Sequence, residues 1–213
     1  MAYYTIQQTG KGEYEEKHSR FLGEAIPIHS EEEAAEHLTR IRKQYYDARH
    51  HCSAYVLGEN KERKRASDDG EPQGTAGLPI LNVIEGAGCT GVLIVVTRYF
   101  GGTLLGTGGL VRAYTAAAKA ALLAAHPVCM QEGEILELTM EYSMLDPVRY
   151  FVTKNGITER GIEYTDRVQE KILVRAEETE FVQRQLGELS GGKIQIKSIE
   201  KGFYGFDIES AGD

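Results

Sequence analysis

Residues 92–125 read VLIVVTRYFGGTLLGTGGLVRAYTAAAKAALLAA and divide into three parts of different composition. Val92–Thr97 is a continuous aliphatic run, which is typical of a central strand buried on both faces. Leu110–Ala125 is rich in alanine and leucine, which favours a helix. The segment between them holds five glycines in nine residues: Gly101, Gly102, Gly106, Gly108 and Gly109. We therefore expect a strand, a tight glycine-rich connection and a helix.

The glycine-rich connection is a candidate anion-binding site. Glycine lets a ligand approach backbone amides without a Cβ in the way, and the amides at a helix N-terminus favour negative charge. Arg98 follows the strand and Arg112 falls in the first turn of the predicted helix, so both side chains could converge there. The alternative is that the glycines serve tight packing, with Arg112 on the surface or paired with Asp68, Asp69 or Glu71. The sequence leaves both interpretations open.

Two common nucleotide-binding motifs are excluded for this segment. Gly101 and Gly106 have the glycine spacing of a P-loop, but Thr107 occupies the position of its lysine. Gly106-Thr107-Gly108 begins like a dinucleotide fingerprint, but Val111 occupies the position of the third glycine. We therefore expect no bound nucleotide cofactor.

Residues 59–75 are predicted to form a charged loop. It is longer than most structural connections, and loops of this length are usually functional or mobile. A run of cations is more often a solvated loop than a nucleic-acid patch. Its four cations, expected beside the glycine-rich connection, still make it the best candidate surface for a polyanion in the chain: Lys61, Arg63, Lys64 and Arg65. Three carboxylates follow: Asp68, Asp69 and Glu71. They could bind magnesium or act as an acid–base pair. The interpretation we favour is a turn at Asp69-Gly70 whose aspartate bonds its own backbone.

His50-His51-Cys52 suggests a metal ligand set or a nucleophile. On a strand, His50 and Cys52 share one face while His51 points to the other. A zinc site needs two more ligands, which do not occur nearby at motif spacing. A catalytic cysteine needs a base held close to it. We therefore expect packing roles for these residues and no metal.

The other elements of the first half are predicted from periodicity and caps. Strands are expected at Tyr3–Gln8, Arg20–Ile28 and Cys52–Leu57, with a break at Gly10-Lys11-Gly12. Ser30 is expected to cap a helix that runs to about Tyr46. A helix of about ten residues is expected to begin near Thr75–Leu78 and to stop at Gly86 and Gly88.

The second half is predicted to be a separate ferredoxin-like domain, because its elements follow the order β-α-β-β-α-β. Asp146 and Thr179 are expected to cap its two helices, which end at Gly156 and at Gly191-Gly192. The boundary is placed near Gln131–Gly133, which gives domains 1–131 and 132–213. The predicted fold class is α+β with two domains.

Composition restricts the class of protein. The chain has 213 residues, 41% of them hydrophobic and 26% charged, which is an ordinary globular balance. Three scattered cysteines indicate neither a disulfide framework nor a zinc site. The absence of a signal peptide and of a long apolar run predicts a cytoplasmic protein with no membrane partner. Residues 131–213 hold 10 Lys/Arg against 17 Asp/Glu, a net charge of −7, so a polyanion would have to bind the first half.

Three segments closely resemble the YigZ/IMPACT family: HCSAY at 51–55, SDDGEPQGTAG at 67–77, and TRYFGG at 97–102 running on to RAY at 112–114. The resemblance covers nearly the whole chain. It implies a first domain similar to one found in a small-subunit ribosomal protein and in elongation factor G. It also implies a ferredoxin-like second domain similar to the last domain of that factor. Some bacterial members carry a peptidase label, but the sequence shows no metal-ligand set or nucleophile motif that supports one.

The function expected on these grounds is binding rather than catalysis, in a translation-associated regulatory protein. Its partner would be the ribosome, RNA or a translation factor. The first alternative is an enzyme or sensor, possibly a hydrolase, that holds a small phosphate or carboxylate in the same cleft. The second is a protein adaptor with the acidic second domain as its docking face. Cleft residues would come from the following set: His51, Ser67, Asp68, Asp69, Glu71, Thr75 and Tyr99.

Overall fold

The computed structural model describes residues 2–207, and two antiparallel sheets form two compact units. The first unit contains residues 2–130 together with 205–207, and the second contains residues 131–204. The boundary predicted near Gln131–Gly133 therefore falls within a long strand, Val128–Met140. No helix within residues 2–207 is long and apolar enough to cross a membrane.

The first unit is built on an antiparallel five-stranded sheet with helices on both faces. Its strands and helices are β1 (Tyr3–Thr5), β2 (Gly10–Glu16), β3 (Ser19–Pro27), α1 (Glu31–Gln44), β4 (His50–Leu57), β5 (Arg63–Ser67), α2 (Gly77–Gly86), β6 (Val92–Tyr99) and α3 (Gly106–Ala124). The sheet order is β2-β3-β6-β4-β5. The aliphatic run is thus the central strand, as predicted. The short β1 pairs instead with Val128–Met130.

Two apolar layers bury the central strand. Side chains such as Phe21, Val96 and Tyr114 form the core between the sheet and helices α2 and α3. On the opposite face, Val95 belongs to a second core with α1. The hydroxyl oxygen of Ser30 accepts a hydrogen bond from the Glu33 amide, which confirms the predicted cap of α1.

Two predictions for this sheet are wrong. The expected break at Gly10–Gly12 is the start of β2, and the backbone of α3 lies so close that a Cβ on Gly12 would collide with it. The expected loop at 59–75 contains the edge strand β5. Both strands are polar at a sheet edge, and neither has the alternating apolar pattern on which strand prediction depends.

The second unit has the predicted element order. It comprises β7 (Val128–Met140), α4 (Leu145–Lys154), β8 (Thr158–Tyr164), β9 (Val168–Arg175), α5 (Thr179–Ser190) and β10 (Gln195–Asp207), with strand order β10-β7-β9-β8. The predicted caps are off by one or two residues, because both helices continue from short 3₁₀ turns at Tyr142–Met144 and Ala176–Glu178. Gly191 ends α5 in a left-handed conformation, as expected (φ 58°).

Candidate functional site

The candidate site lies at the end of the first sheet where β6 leads into α3. Strands β5 and β6 run in the same direction, because each pairs antiparallel with β4. The acidic segment after β5 and the glycine-rich segment after β6 therefore leave the sheet at the same end. This topology brings together two motifs that are about thirty residues apart in the chain.

Asp68 holds the start of α2. Its carboxylate accepts hydrogen bonds from the amides of Gly74 (2.8 Å), Ala76 (3.0 Å) and Gly77 (2.8 Å). Burial raises the pKa of this carboxyl, but the three amide donors outweigh burial and leave the pKa below its ordinary value. Asp68 is therefore ionised and caps α2 from outside the helix.

Asp69 and Gly70 form the predicted turn. Both have positive φ (43° and 87°), and the Glu71 amide donates to the Asp68 carbonyl at 2.9 Å. The side chain of Asp69 does not bond its own backbone, which corrects that part of the prediction. Its oxygens instead accept from the His51 amide at 2.7 Å and from Arg42 at 2.8 Å.

Glu71 forms a buried ion pair with Arg98. The Arg98 Nη1 lies 2.6 Å from Glu71 Oε1, and the side chains are 7% and 4% exposed. The hydroxyl of Tyr114 donates to the same oxygen at 2.8 Å. The prediction that Arg98 and Arg112 converge on an anion is therefore wrong for Arg98, because Glu71 neutralises its charge inside the protein. Arg112 is exposed in the second turn of α3, so its placement in the first turn is also wrong.

His51 and Cys52 are buried, as their predicted packing roles require. Burial raises the pKa of the Cys52 thiol to about 12, so the thiol stays protonated at neutral pH. Its Sγ donates toward the Asp68 carbonyl at 3.0 Å. Burial also lowers the pKa of His51, whose Nε2 lies 3.1 Å from the Tyr45 carbonyl. Within residues 2–207, no three His, Cys, Asp or Glu side chains are placed to hold a metal ion.

The remaining cleft candidates also have structural partners. The Thr75 hydroxyl donates to the Pro72 carbonyl at 2.7 Å and is buried. Ser67 ends β5 opposite Ser53. The Tyr99 hydroxyl donates to Asp47 at 2.8 Å. Burial, and to a lesser extent this contact, raises the pKa of that hydroxyl to about 12.

The five glycines have different roles. Gly101 lies against the backbone of His18 and Ser19 and leaves no room for a Cβ, and Gly109 faces Leu105 Cβ at close range. Gly102 and Gly106 have positive φ. Gly108 is different, because its φ is not positive and the nearest atom to an added Cβ is Arg112 Nη1 at 3.6 Å. Packing and backbone conformation thus explain four of the glycines but not Gly108.

Helix α3 starts at Gly106, four residues earlier than predicted, so Gly106–Gly109 form its first turn. The N-cap residue is Leu105, whose aliphatic side chain cannot accept from the first amides. Residues 106–108 are exposed. These amides therefore face solvent at the positive end of a helix of 19 residues.

The cationic run does not adjoin this helix end. Strand β4 separates β5 from β6, so Arg63, Lys64 and Arg65 lie at the far edge of the sheet. Lys64 pairs with Glu85 of α2 at 2.6 Å. Lys61 precedes β5 in a left-handed conformation (φ 58°). The cationic run that was predicted to attract a polyanion is therefore an edge strand with part of its charge neutralised. Charges on an edge strand discourage pairing with the edge of another sheet.

The β2–β3 turn is a site feature that the sequence did not indicate. Lys17 and His18 form it, both exposed and both with positive φ (47° and 66°), where asparagine and glycine are usual. The turn lies against Gly101, whose amide donates to the Ser19 hydroxyl at 3.1 Å. It was missed because the residues lack the Asn-Gly signal of a tight hairpin. It adds two basic side chains beside the glycine-rich connection.

Comparison with known proteins identifies both halves of the chain. Residues 17–122 match the Impact N-terminal domain, and residues 138–193 match a domain of unknown function, DUF1949. The IMPACT family member YvyE of Bacillus subtilis is 36% identical over 199 residues, covering 93% of this chain and 92% of that protein. The IMPACT family member YigZ of Escherichia coli is 33% identical over 189 residues, covering 87% and 92%.

A solved structure agrees with these relatives. A crystal structure described only as that of a hypothetical protein has a TM-score of 0.58 and 30% identity, and the match covers 93% of this chain and 98% of the other. The family match includes every candidate site residue and most of both units. The chain belongs to the IMPACT family as a two-domain member, which confirms the resemblance seen in its sequence.

Proposed function

We propose that the protein binds RNA of the translation apparatus at the end of its first sheet, with phosphates held at the N-terminus of α3. The observation that carries this proposal is the first turn of that helix, Gly106–Gly109, which has a leucine at its N-cap and in which residues 106–108 are exposed. Amides at such a position bind phosphate oxygens directly. Gly108, which the fold does not require, leaves room for the approach of a phosphate.

The charges around this turn also favour a polyanion. Lys17 and Arg112 are exposed near it, and Arg49 is exposed at the same end of the sheet. The nearby carboxylates of Asp68, Asp69 and Glu71 are directed at backbone amides or at cations. Repulsion of phosphate by these acids is therefore weak, because their charge is already compensated. The same contacts disfavour the alternative in which the three acids hold magnesium or act as bases.

The architecture supports translation as the setting. The second unit has the element order β-α-β-β-α-β, which is typical of ferredoxin-like domains. A ferredoxin-like domain beside a βα domain of the ribosomal-protein type is what the family resemblance implies, and elongation factor G has a comparable pair. This support rests on fold similarity alone, so the proposal of RNA binding depends on the geometry and charge of the site.

The test is co-sedimentation with ribosomes at low and moderate salt. We expect association that weakens steeply with salt, because phosphate binding releases counterions. Gly108→Ala is expected to reduce it, since the added methyl group stands in the path of a phosphate. The matched control is Gly187→Ala, a glycine in α5 whose added Cβ meets open space. Equal association of both variants and the wild type would refute binding at this turn, and no association at either salt would refute the ribosome as partner.

A further inference from the structure

A cavity of about 620 Å³ lies beside the connection from β6 to α3. It is lined by Asp47, Ala48, Arg49, His50, Arg98, Tyr99, Phe100 and Leu104. The Asp47 carboxylate accepts a hydrogen bond from the Tyr99 hydroxyl. The volume falls within the range of small-molecule sites and suffices for one nucleotide. The mechanism proposed above uses the helix N-terminus and leaves this cavity without a role.

Arg98 forms a rigid wall of the cavity. The Arg98 Cζ lies 5.4 Å from the centroid of the Phe21 ring and 5.6 Å from that of Phe100. One end of the guanidinium is fixed by Glu71, as described above. The Arg98 Nε is buried and has no hydrogen-bond partner among the described residues, although buried polar atoms are normally paired. Arg98 therefore retains an unused donor next to an aromatic ring.

The rim offers a flat apolar surface and polar groups together. Phe100 is 53% exposed and Leu104 is 83% exposed, so two large apolar side chains face solvent at the rim. The Nδ1 of His50 lies 2.9 Å from the Asp69 carbonyl, which can only accept, so Nδ1 carries the proton. With this tautomer, Nε2 is the ring nitrogen that can accept a hydrogen bond. Arg49 is exposed and adds a positive charge.

We propose that this cavity binds the base of one unpaired nucleotide, stacked on Phe100, with its phosphate near Arg49. Exposed aromatic rings beside arginine are the usual platform for unstacked bases. A strand with a base in the cavity can place its next phosphate at the first turn of α3, because Leu104 and Gly106 are two residues apart, at most about 7 Å. The inference rests on the proposed RNA binding and adds to it a contact that only a single strand can make.

The test compares a short polyadenylate strand, an A-form RNA duplex of the same length, and AMP as the free nucleotide. For Phe100→Leu we expect binding of the single strand to weaken about 5-fold or more, as loss of one stacked base does, while duplex binding is unchanged. The control is Phe181→Leu: Phe181 is 47% exposed and lies 5.9 Å from the Arg184 guanidinium, in the second unit. That variant is expected to bind like the wild type.

The outcomes separate this inference from the proposed function. Strand binding that is equal in Phe100→Leu and the wild type overturns the nucleotide cavity but leaves RNA binding standing. Binding of AMP that is lost in Phe100→Leu, without binding of any RNA, supports the cavity as a free-nucleotide site and overturns the RNA proposal. Failure of all three probes overturns both. Unfolding midpoints of the two leucine variants confirm that they fold.

Discussion

At the scale of single residues, the structure assigns the charged groups of the site to different tasks than the sequence suggests. The sequence left Arg98 open as an anion contact and Glu71 as one of three carboxylates that could bind magnesium or act as a base, but the two residues form one buried pair. Arg112 and Gly108 remain open to solvent. Residue types and spacing cannot distinguish a buried pair from two functional groups, because the pairing depends on which strands are adjacent.

The Arg98–Glu71 pair is expected to be essential for stability. Arg98→Ala leaves the Glu71 carboxylate buried without its cation, which should cost about 3–5 kcal/mol of unfolding free energy. The matched control is Arg112→Ala, which removes an exposed arginine and should change stability by about 0.5 kcal/mol or less. Urea denaturation measures both. Similar losses in the two variants would contradict the buried pair.

Glu170 is expected to make stability depend on pH. It is 0% exposed, and neither of its carboxylate oxygens has a hydrogen-bond partner within residues 2–207. Burial, with a smaller contribution from Glu159, raises its pKa, and Arg149 opposes this. The folded protein therefore keeps the Glu170 proton to a higher pH than the unfolded chain does. Proton binding at Glu170 contributes fully to stability at acidic pH, and this contribution is lost as pH rises through the raised pKa.

The corresponding measurement is urea denaturation of wild type and Glu170→Leu across a pH series. The variant is expected to gain stability over the wild type as pH rises, because leucine carries no charge to bury. A difference between the two proteins that stays constant from acidic to slightly alkaline pH would show that Glu170 does not titrate in this range.

At the scale of elements, the sequence predicts the strands, helices and caps whose residue composition is distinctive. The aliphatic run of β6, the alanine-rich body of α3 and the Ser30 cap of α1 were all predicted from local patterns. The first turn of α3 was missed because glycine has a low helix propensity. That turn is stable nonetheless, since the first four amides of a helix need no intrahelical partner. The exposed amides of the site come from this turn.

The close contact of β2 with α3 gives a second test of stability. Gly12→Ala would place a methyl group against the backbone of Ala120 and Ala121, and we expect a loss of about 1–3 kcal/mol from overpacking. Gly86→Ala in α2 is the control, because a Cβ there meets open space. It should stabilise the protein by about 0.5–1 kcal/mol. Thermal unfolding of both variants checks the two signs, and a stabilised Gly12→Ala would contradict the packing described.

At the scale of the whole molecule, the chain returns to its first unit at the end. Residues 205–207 belong to that unit, and Phe206 is buried. This could not be predicted, because the strand that carries these residues also supplies an edge of the second unit's sheet. A deletion of residues 132–213, the natural test of the adaptor hypothesis, would therefore also remove part of the first unit.

Phe206→Ala is expected to destabilise the protein by about 3–5 kcal/mol, as deletion of a buried aromatic side chain does. The comparison is Phe203→Ala, three residues earlier and 45% exposed, which should cost much less. Chemical denaturation distinguishes the two. Equal effects would show that the end of β10 contributes little to the first unit.

Amide NMR during titration with single-stranded RNA is the sharpest test of phosphate binding at the first turn of α3. We expect the amide signals of Gly106, Thr107, Gly108 and Gly109 to shift with added RNA and to return when salt is added, while the amide signal of Gly187 does not shift. Shifts confined to the basic edge strand Arg63–Ser67, or RNA binding that leaves the first turn of α3 unchanged, would contradict it.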